Sequence, residues 1–401
     1  MPNETIYEEL GVPHVVNATG TKTRIGGSRI RPEAVEAMAQ ASEAFVRLSD
    51  LQARASELIA DVTGADAGYV TCGASSALAL GAATCIAGDD IGAMARLPET
   101  DDVPSEIVMP RTHRTGYDHA LRAAGAKIVD VGSNDRHLGT GSRNVEPWEI
   151  ADAITEDTAA VAYMEKSYTE PPLEVVCEIA HDNGVPVIVD AAAELPPVSN
   201  LSAFIEACRP RRVQRWEGDS RTDDGILAGR KDLVESVAAQ HLDMHAAEDV
   251  WEPAPELVNP SELGGVPRQG IGRPMKVGKE ELVGLIRALQ LFVEDDHDAR
   301  ISEWLDRSER IAEQLDAVSG YETHLTADDK TAVAPEVVVS VDAELAGVTA
   351  TDVVGGLRRE EPRVFVGADA LTDGEFTVNP MCLTDEEAEY AVERIVAQVE
   401  G

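Results

Sequence analysis

Short apolar runs alternate with amphipathic stretches through residues 51–229 of the chain. Turn-forming residues bound the runs, which is typical of strands, and the stretches between them have the helical spacing of apolar positions. This alternation predicts βαβ units and a mostly parallel sheet with helices on its faces. The predicted strands are 67–71, 106–109, 127–131, 159–164, 185–190 and 225–229, and the predicted helices are 51–62, 75–86, 116–124 and 173–183.

The pattern changes after residue 250. Residues 251–273 are rich in proline and glycine, and one long helical pattern follows over 279–318. The remainder predicts a smaller α/β unit, with strands at 337–341, 363–366 and 375–378 and a last helix at 385–399. We therefore predict an N-terminal arm with a substrate loop at 1–45, a large sheet domain at 46–270, and a long helix with a small C-terminal domain at 271–401.

One segment interrupts the pattern where a buried strand is expected. Residues 208–224 read CRPRRVQRWEGDSRTDD, with five arginines. One permissible set of codons for residues 208–223, read one base later, encodes ADLVVFSGGKAIRGP, which is an apolar strand followed by a Gly-Gly-Lys turn. Our hypothesis is a local frame shift at 208–222. Because an unpaired charge inside a sheet that is covered on both faces costs several kcal/mol, we expect residues 208–217 to be distorted or pushed outward.

Charge and composition limit the function classes. The formal net charge is −39 over 401 residues and is spread along the chain, which disfavours nucleic-acid binding through a basic face. Such a surface is typical of halophilic proteins, since salt screens its self-repulsion. No apolar stretch is long enough to span a membrane and no signal-peptide pattern is present, so we expect a cytoplasmic protein. The five cysteines lack metal-site spacing and are predicted to be reduced thiols.

Candidate binding residues follow the predicted strands. Gly73, Ala74 and Ser75 lie between a strand and a helix, where free amides favour a phosphate, although such turns are also common without a ligand. Asp190 ends an apolar strand, and its carboxylate either faces a ligand crevice or caps the next helix. His113 follows another strand and is either structural or available to stack on a flat ring or transfer protons. Lys166 lies just past a strand as well, and its alternative is a solvated lysine.

A basic segment opens the long helical pattern. Residues 272–279 read GRPMKVGK in a strongly acidic chain, and Arg273 and Lys276 are candidates for anion binding. The alternative is that the segment only marks the start of a helix and that its lysines lie on the protein surface.

Taken together, these motifs resemble those of the fold-type-I pyridoxal-phosphate (PLP) enzymes. They are most similar to the branch that contains D-glucosaminate-6-phosphate ammonia-lyase and bacterial selenocysteine synthase. The resemblance runs nearly end to end, and residues 23–28 (TRIGGS) are closer to the lyase side. It rests on VNATG at 16–20, GAD at 64–66, VTCGA at 70–74, DAAAEL at 190–195, GRKDL at 229–233 and GRPMKVGKEE at 272–281.

The resemblance implies the PLP-dependent transferase fold of type I, with a large, mostly parallel seven-stranded sheet and a small C-terminal α/β domain. It implies PLP as cofactor and a homodimer or larger homo-oligomer acting on a small amino acid or amino-sugar acid. Gly73, Ala74 and Ser75 would then cradle the cofactor phosphate, His113 would stack on its ring and Asp190 would pair with its pyridine nitrogen. Arg24, Arg273 and Lys276 would lie near the substrate or another anion.

The implied reaction is an α,β-elimination of the ammonia-lyase type, which needs a lysine that holds the cofactor covalently. That lysine belongs in a Ser-Gly-Gly-Lys turn, but no lysine occurs between Asp190 and Arg230. In the shifted frame its codon straddles Glu217 and Gly218. Lys231 matches the family's ordinary GRKDL motif, and Lys166 is the remaining candidate near the ring. The alternatives are a selenium-transferase-like β-replacement and a catalytically inactive scaffold.

Overall fold

The structure is a computed structural model in which residues 6–134, 144–166, 169–191, 199–208, 213–216, 225–243, 247–268, 270–326 and 334–400 are described. They form two compact units, one of residues 30–295 and one of residues 1–29 with 296–401. The first unit thus ends at 295, whereas the large domain predicted from the sequence ends at 270. In the described part of the chain, no helix is both long and apolar enough to cross a membrane.

The strands follow the predicted apolar runs closely, and β1, β7 and β9 are additional. They are β1 Val15–Ala18, β2 Ala67–Thr71, β3 Glu106–Pro110, β4 Lys127–Val131, β5 Thr158–Met164, β6 Val187–Asp190, β7 Val213–Trp216, β8 Gly225–Gly229, β9 Tyr321–Leu325, β10 Val337–Val341, β11 Arg363–Val366 and β12 Glu375–Val378.

The helices include the predicted ones at 51–62, 75–86, 116–124, 173–183 and 385–399, with shifts of a few residues at their ends. They are α1 Ile6–Glu9, α2 Pro32–Ser42, α3 Leu48–Thr63, α4 Ala74–Ala87, α5 Ile91–Arg96, α6 Asp118–Ala123, α7 Pro147–Ala153, α8 Leu173–Asp182, α9 Asn200–Ala207, α10 Lys231–His241, α11 Lys279–Glu294, α12 His297–Asp316, α13 Ala343–Ala346, α14 Ala350–Leu357 and α15 Asp385–Glu400.

The larger unit is built on a sheet with the order β2-β8-β7-β6-β5-β3-β4 among the described strands. Strands β3 to β7 pair in parallel, and β8 is antiparallel to both β7 and β2. Every residue of β2 and β8 is buried, as expected for strands with helices on both faces. The mostly parallel seven-stranded sheet of the sequence analysis is confirmed.

Strand β7 lies inside the sheet, although the sequence predicts that its charged segment is displaced. Each residue from Val213 to Trp216 pairs with a residue of β8. Arg215 also pairs with Asp190 of β6. The backbone of these four residues therefore shows no outward displacement. The physical reason is the backbone, because β6 and β8 each present unpaired amide and carbonyl groups that an intervening strand satisfies. Residues 209–212 and 217–224 lie outside the described residues.

The core of this unit surrounds α4, which is apolar on nearly every face. Ten of its 14 residues are buried, including Leu78 and Leu80. Its small side chains permit close packing against the sheet and α10, where Thr84 Oγ1 donates to the Leu233 carbonyl at 3.0 Å. A helix that is apolar all round is stable only when it is enclosed in this way.

The smaller unit contains an antiparallel sheet of order β12-β10-β9 and a parallel pair of β1 with β11. The single long helix predicted at 279–318 is wrong, because α11 ends at Glu294 and α12 begins at His297. Asp296 is extended and its carboxylate accepts from the Ala299 amide at 3.0 Å. Aspartate at this position satisfies a free amide of a new helix start, and this competes with continuing the old helix.

The cysteines also differ from the prediction of reduced thiols. Cys177 of α8 and Cys208, directly after α9, form a disulfide with a Cα–Cα distance of 5.3 Å. In the described part of the chain, Cys72, Cys85 and Cys382 form no disulfide. The pairing depends on the packing of α8 beside α9, which the spacing of the two cysteines in the sequence does not reveal.

Candidate active site

The sheet topology gathers the predicted binding residues at one edge. Strands β3, β5 and β6 are parallel, so the residues that follow them lie at a common carboxyl edge. Strand β2 also ends there, because it is antiparallel to β8 and β8 is antiparallel to β7. The turn after β2, His113, Lys166 and Asp190 therefore meet at the edge where α/β folds bind ligands.

The turn after β2 provides open backbone amides. Gly73 precedes α4 with a φ of +129°, a conformation that glycine favours, and no side chain caps the helix. A Cβ on Gly225 of β8 would lie 2.5 Å from the carbonyl atoms of Gly73, so this approach also requires glycine. Ser75 is exposed beside these amides. The arrangement suits an anion at the start of a 14-residue helix.

His113 lies in the turn after β3 and is almost fully buried, with 1% of its surface exposed. Its Nδ1 accepts from the Met164 amide at 3.3 Å, which places the proton of the neutral ring on Nε2. Nε2 is buried and has no hydrogen-bond partner among the described residues. Burial lowers the pKa of His113 to about 4, and a weak interaction with the Glu170 backbone opposes this shift. The imidazole is therefore neutral at physiological pH.

His113 and Asp190 line the same small, partly open cavity. Its apolar wall includes Leu78, Met109 and Ile188 from three different elements. His113 also contacts Tyr163 edge to face, with ring centroids 4.6 Å apart. A mostly apolar cavity with a few convergent polar groups is the usual form of a cofactor or substrate pocket.

An ion-pair network, which the sequence analysis missed, supports the turn that carries His113. Arg114 bridges Asp118, at 2.5 Å, and Asp130, at 2.8 Å. Asp118 lines the cavity and is only 7% exposed. The spacing of Arg114 and Asp118 by four residues is the only sequence signal for the first pair, and the second depends on the pairing of β3 with β4.

The turn after β5 links the two predicted ring-binding residues. The Glu165 amide donates to the Asp190 carbonyl at 2.8 Å, and the preceding amide, of Met164, donates to His113. Lys166 comes next, and its amide donates to Thr169 Oγ1 at 2.9 Å. Residues 217 and 218, where the shifted frame places the family's lysine, lie outside the described residues. Lys231 lies beyond the other end of β8, at the opposite edge of the sheet.

The predicted anion-binding residues Arg273 and Lys276 lie on a short 3₁₀ turn, Arg273–Met275, and just after it. Arg273 forms an ion pair with Asp243 at 3.4 Å, and Lys276 is exposed. Two hydrogen bonds of the buried His241 ring hold this turn in place. Nε2 bonds the Met275 carbonyl and Nδ1 bonds the Tyr69 hydroxyl, both at 2.9 Å. Burial lowers the pKa of His241, so the ring is neutral and the carbonyl requires the Nε2 proton.

Arg24 belongs to the smaller unit, where it is exposed on a 3₁₀ turn, Thr23–Ile25. Asn17 organises the loop around it. Its Nδ2 donates to the carbonyls of Gly20 at 2.8 Å and Gly27 at 3.2 Å. The motif VNATG therefore fixes the shape of the loop that carries Arg24.

Two curated proteins are similar to almost the whole chain. D-glucosaminate-6-phosphate ammonia lyase of Salmonella typhimurium is 29% identical over 399 residues, covering 97% of this chain and 96% of that protein. 5'-C-glycyluridine monooxygenase-decarboxylase of a Streptomyces species is also 29% identical, with coverage of 97% and 90%. No family model matches the chain.

Solved structures show the same relationship at the level of the fold. A structure of D-glucosaminate-6-phosphate ammonia-lyase aligns with a TM-score of 0.80 and 27% identity, covering 99% of both chains. Ureidoglycine-glyoxylate aminotransferase of Bacillus subtilis aligns with a TM-score of 0.56 and 14% identity, covering 97% of this chain and 94% of that one. The second likeness shows a shared fold and no more.

Proposed function

We propose that the chain is a fold-type-I PLP-dependent enzyme and that its site is built for α,β-elimination of the ammonia-lyase type. The substrate class is an amino-sugar acid or a related hydroxy amino acid. The observation that supports the proposal is the meeting of the α4 N-terminus, His113 and Asp190 at one edge of the sheet, in a chain that is similar over 97% of its length to an ammonia lyase.

The residues present fit the ring and the phosphate of the cofactor. The uncapped amides of α4 and the Gly73–Gly225 contact suit a phosphate that approaches the backbone closely. The buried, neutral imidazole of His113 and the apolar walls suit a flat ring. When bound, PLP withdraws electrons from the substrate's α-carbon.

Each group then has a distinct role. Gly73, Ala74 and Ser75 hold the phosphate, and Asp190 holds a proton on the ring nitrogen through its carboxylate. His113 contacts the ring in its neutral form, because burial keeps the pKa of its imidazole far below physiological pH. The cavity walls formed by Leu78, Met109 and Ile188 are apolar, so each of these interactions is stronger than it would be in bulk solvent. Arg24, Arg273 and Lys276 remain candidates for the substrate's anionic groups.

The proton-transfer group of the elimination is the part that this sequence lacks. In the shifted frame the lysine follows directly after the position of Trp216, the last residue of β7. That position is at the carboxyl edge, beside the end of β6. We infer that the chain as given binds the cofactor at this edge and turns over slowly, and that a frame shift at 208–222 is the reason.

The direct test restores the segment. Replacing residues 208–222 by ADLVVFSGGKAIRGP leaves the chain length unchanged, and we expect ammonia release from D-glucosaminate 6-phosphate to rise roughly 10²–10⁴-fold, the usual contribution of a positioned acid-base group. The matched control is ADLVVFSGGAAIRGP, which keeps the apolar strand without its lysine and should remain at the low rate.

Three results would separate the possibilities. Ammonia release that depends on the restored lysine and falls again with Asp190→Asn supports the proposal. A restored protein that binds PLP and releases no ammonia overturns the lyase assignment. Nucleotides across residues 206–225 that do not encode the shifted strand and lysine overturn the frame shift.

The absence of a lysine from 191–230 also supports a second candidate, a catalytically inactive PLP-fold scaffold. It predicts that the segment-restored protein stays inactive while its oligomeric state and cofactor binding match those of the parent. Selenium-transferase-like β-replacement, the homo-oligomer, the cytoplasmic location and the high-salt environment stay predictions from the sequence.

A further inference from the structure

The structure assigns a substitute amine to the site: we propose that Lys166 condenses with the aldehyde of PLP bound at the carboxyl edge. The inference rests on the proposed cofactor site and names the residue that would anchor the cofactor there in the absence of the family's lysine. It depends on which of the chain's seven lysines the topology brings to that edge.

Within the described part of the larger unit, the strand directions separate the lysines. Lys127 begins β4 and Lys231 follows β8, so both lie at the edge opposite to the site. Lys279 donates to the Ala41 carbonyl at 2.6 Å at the start of α11, and Lys276 follows the 3₁₀ turn beside His241. Lys166 is the described lysine of this unit that follows a parallel strand at the carboxyl edge.

The hydrogen bonds of the β5 turn place Lys166 next to both ring-binding residues. Met164, two residues before it, bonds His113 by its amide, and Glu165, one residue before it, bonds the Asp190 carbonyl. The main chain of Lys166 is fixed on its other side by Thr169, whose Oγ1 donates to the Lys166 carbonyl at 2.6 Å. The flexible four-carbon side chain therefore starts from a main chain that is fixed one residue beyond the contacts with His113 and Asp190.

The reaction is a simple condensation. The neutral Nζ attacks the aldehyde carbon, a C=N bond replaces the C=O bond, and the oxygen leaves as water after two protons move from nitrogen to oxygen. No oxidant or reductant is needed. Because Lys166 follows β5 and the family's lysine would follow β7, the new link approaches from two strands away. We therefore expect it to retain the cofactor without restoring fast elimination.

The test uses the full chain with stoichiometric PLP, borohydride reduction and peptide mass mapping. We expect a visible absorbance band before reduction and a pyridoxyl group on the peptide containing Lys166. Lys166→Ala and Lys166→Arg should both lose the band and that adduct, whereas Lys231→Ala, at the opposite edge, should keep them. Thermal melting of each variant checks that it is folded.

Failure of this inference is distinct from failure of the proposed site. If PLP binds, Asp190→Asn weakens that binding, and no adduct forms on Lys166, the cofactor site stands and the inference is overturned. If Asp190→Asn does not change PLP binding, or PLP does not bind, both are overturned. An adduct that is unchanged in Lys166→Ala also overturns the inference.

Discussion

Strands β6 and β7 are neighbours in the large sheet and run in the same direction, yet their sequences are opposite in character. Strand β6 is VIVD, with three buried aliphatic residues before a carboxylate, and β7 is VQRW. In both cases the backbone forms an interior strand of the seven-stranded sheet. The comparison shows that the surrounding strands determine where a segment lies, whereas its own side chains determine whether the position carries chemistry.

The two strands also differ in how they are held. Strand β6 pairs with β5 over four residues, and β7 pairs with β6 at one position but with β8 at four. Strand β7 is thus placed mainly by the antiparallel partner that follows it in the chain. An apolar strand in this position would add side-chain burial to that backbone pairing, at roughly 25 cal/mol for each Å² removed from water.

The largest effect is expected when β6 is made similar to β7. Ile188 is 1% exposed and lines the cavity, so Ile188→Arg places an unpaired charge in the core and should cost about 3–5 kcal/mol of the free energy of unfolding. Urea denaturation measures this loss. Ile188→Val is the matched control, with an expected cost of about 1 kcal/mol. Equal stability of Ile188→Arg and the parent would mean that the interior of the sheet accepts a charged side chain. The arginine of β7 would then need no special explanation.

A smaller effect is expected from His113, which lines the same cavity as Asp190 of β6. It should make the free energy of unfolding depend on pH. The pKa of His113 is lowered from 6.5 to about 4 by burial, so between these values the unfolded chain binds more protons. The stability from the neutral ring is present above about pH 6.5 and is lost as the pH falls, by roughly 3 kcal/mol at pH 4.

His113→Phe keeps a flat ring and removes this titration, so its urea midpoint should fall less than the parent's between pH 6.5 and pH 4. His119→Phe replaces an exposed histidine of α6 and is the matched control. A His113→Phe profile parallel to that of the parent would show that His113 is not held neutral by the fold.

The smallest effect on stability is expected at Gly225 of β8, the strand that pairs with β7. Gly225 contacts the turn between β2 and α4, which is the proposed phosphate site. Gly225→Ala places a Cβ 2.5 Å from the Gly73 carbonyl atoms and 2.7 Å from Thr71 Oγ1. We expect a loss of about 1–3 kcal/mol in the free energy of unfolding from overpacking, together with weaker binding of inorganic phosphate and PLP. Gly264→Ala meets nothing within 4 Å and is the control. Unchanged phosphate binding in a folded Gly225→Ala protein would argue against this turn as the phosphate site.

Much of the fold followed from the sequence. Strands β2 and β8 begin and end where the apolar runs predict, because a strand buried on both faces must be apolar throughout. The break between α11 and α12 was missed, since the apolar spacing continues across Asp295 and Asp296. The position of β7 was also missed, because its place is fixed by backbone pairing with β6 and β8, which leaves no apolar pattern in the sequence.

For the site, the sequence by itself identified Gly73, His113 and Asp190 as residues that follow strands, and it showed that no lysine stands between Asp190 and Arg230. Only the tertiary structure decided that these residues share one edge, because strand direction and order are non-local. It also placed Lys231 at the far edge and Lys166 directly after the two residues that bond His113 and Asp190. A sequence records which side chains are present, and distances between them arise only when the strands pair.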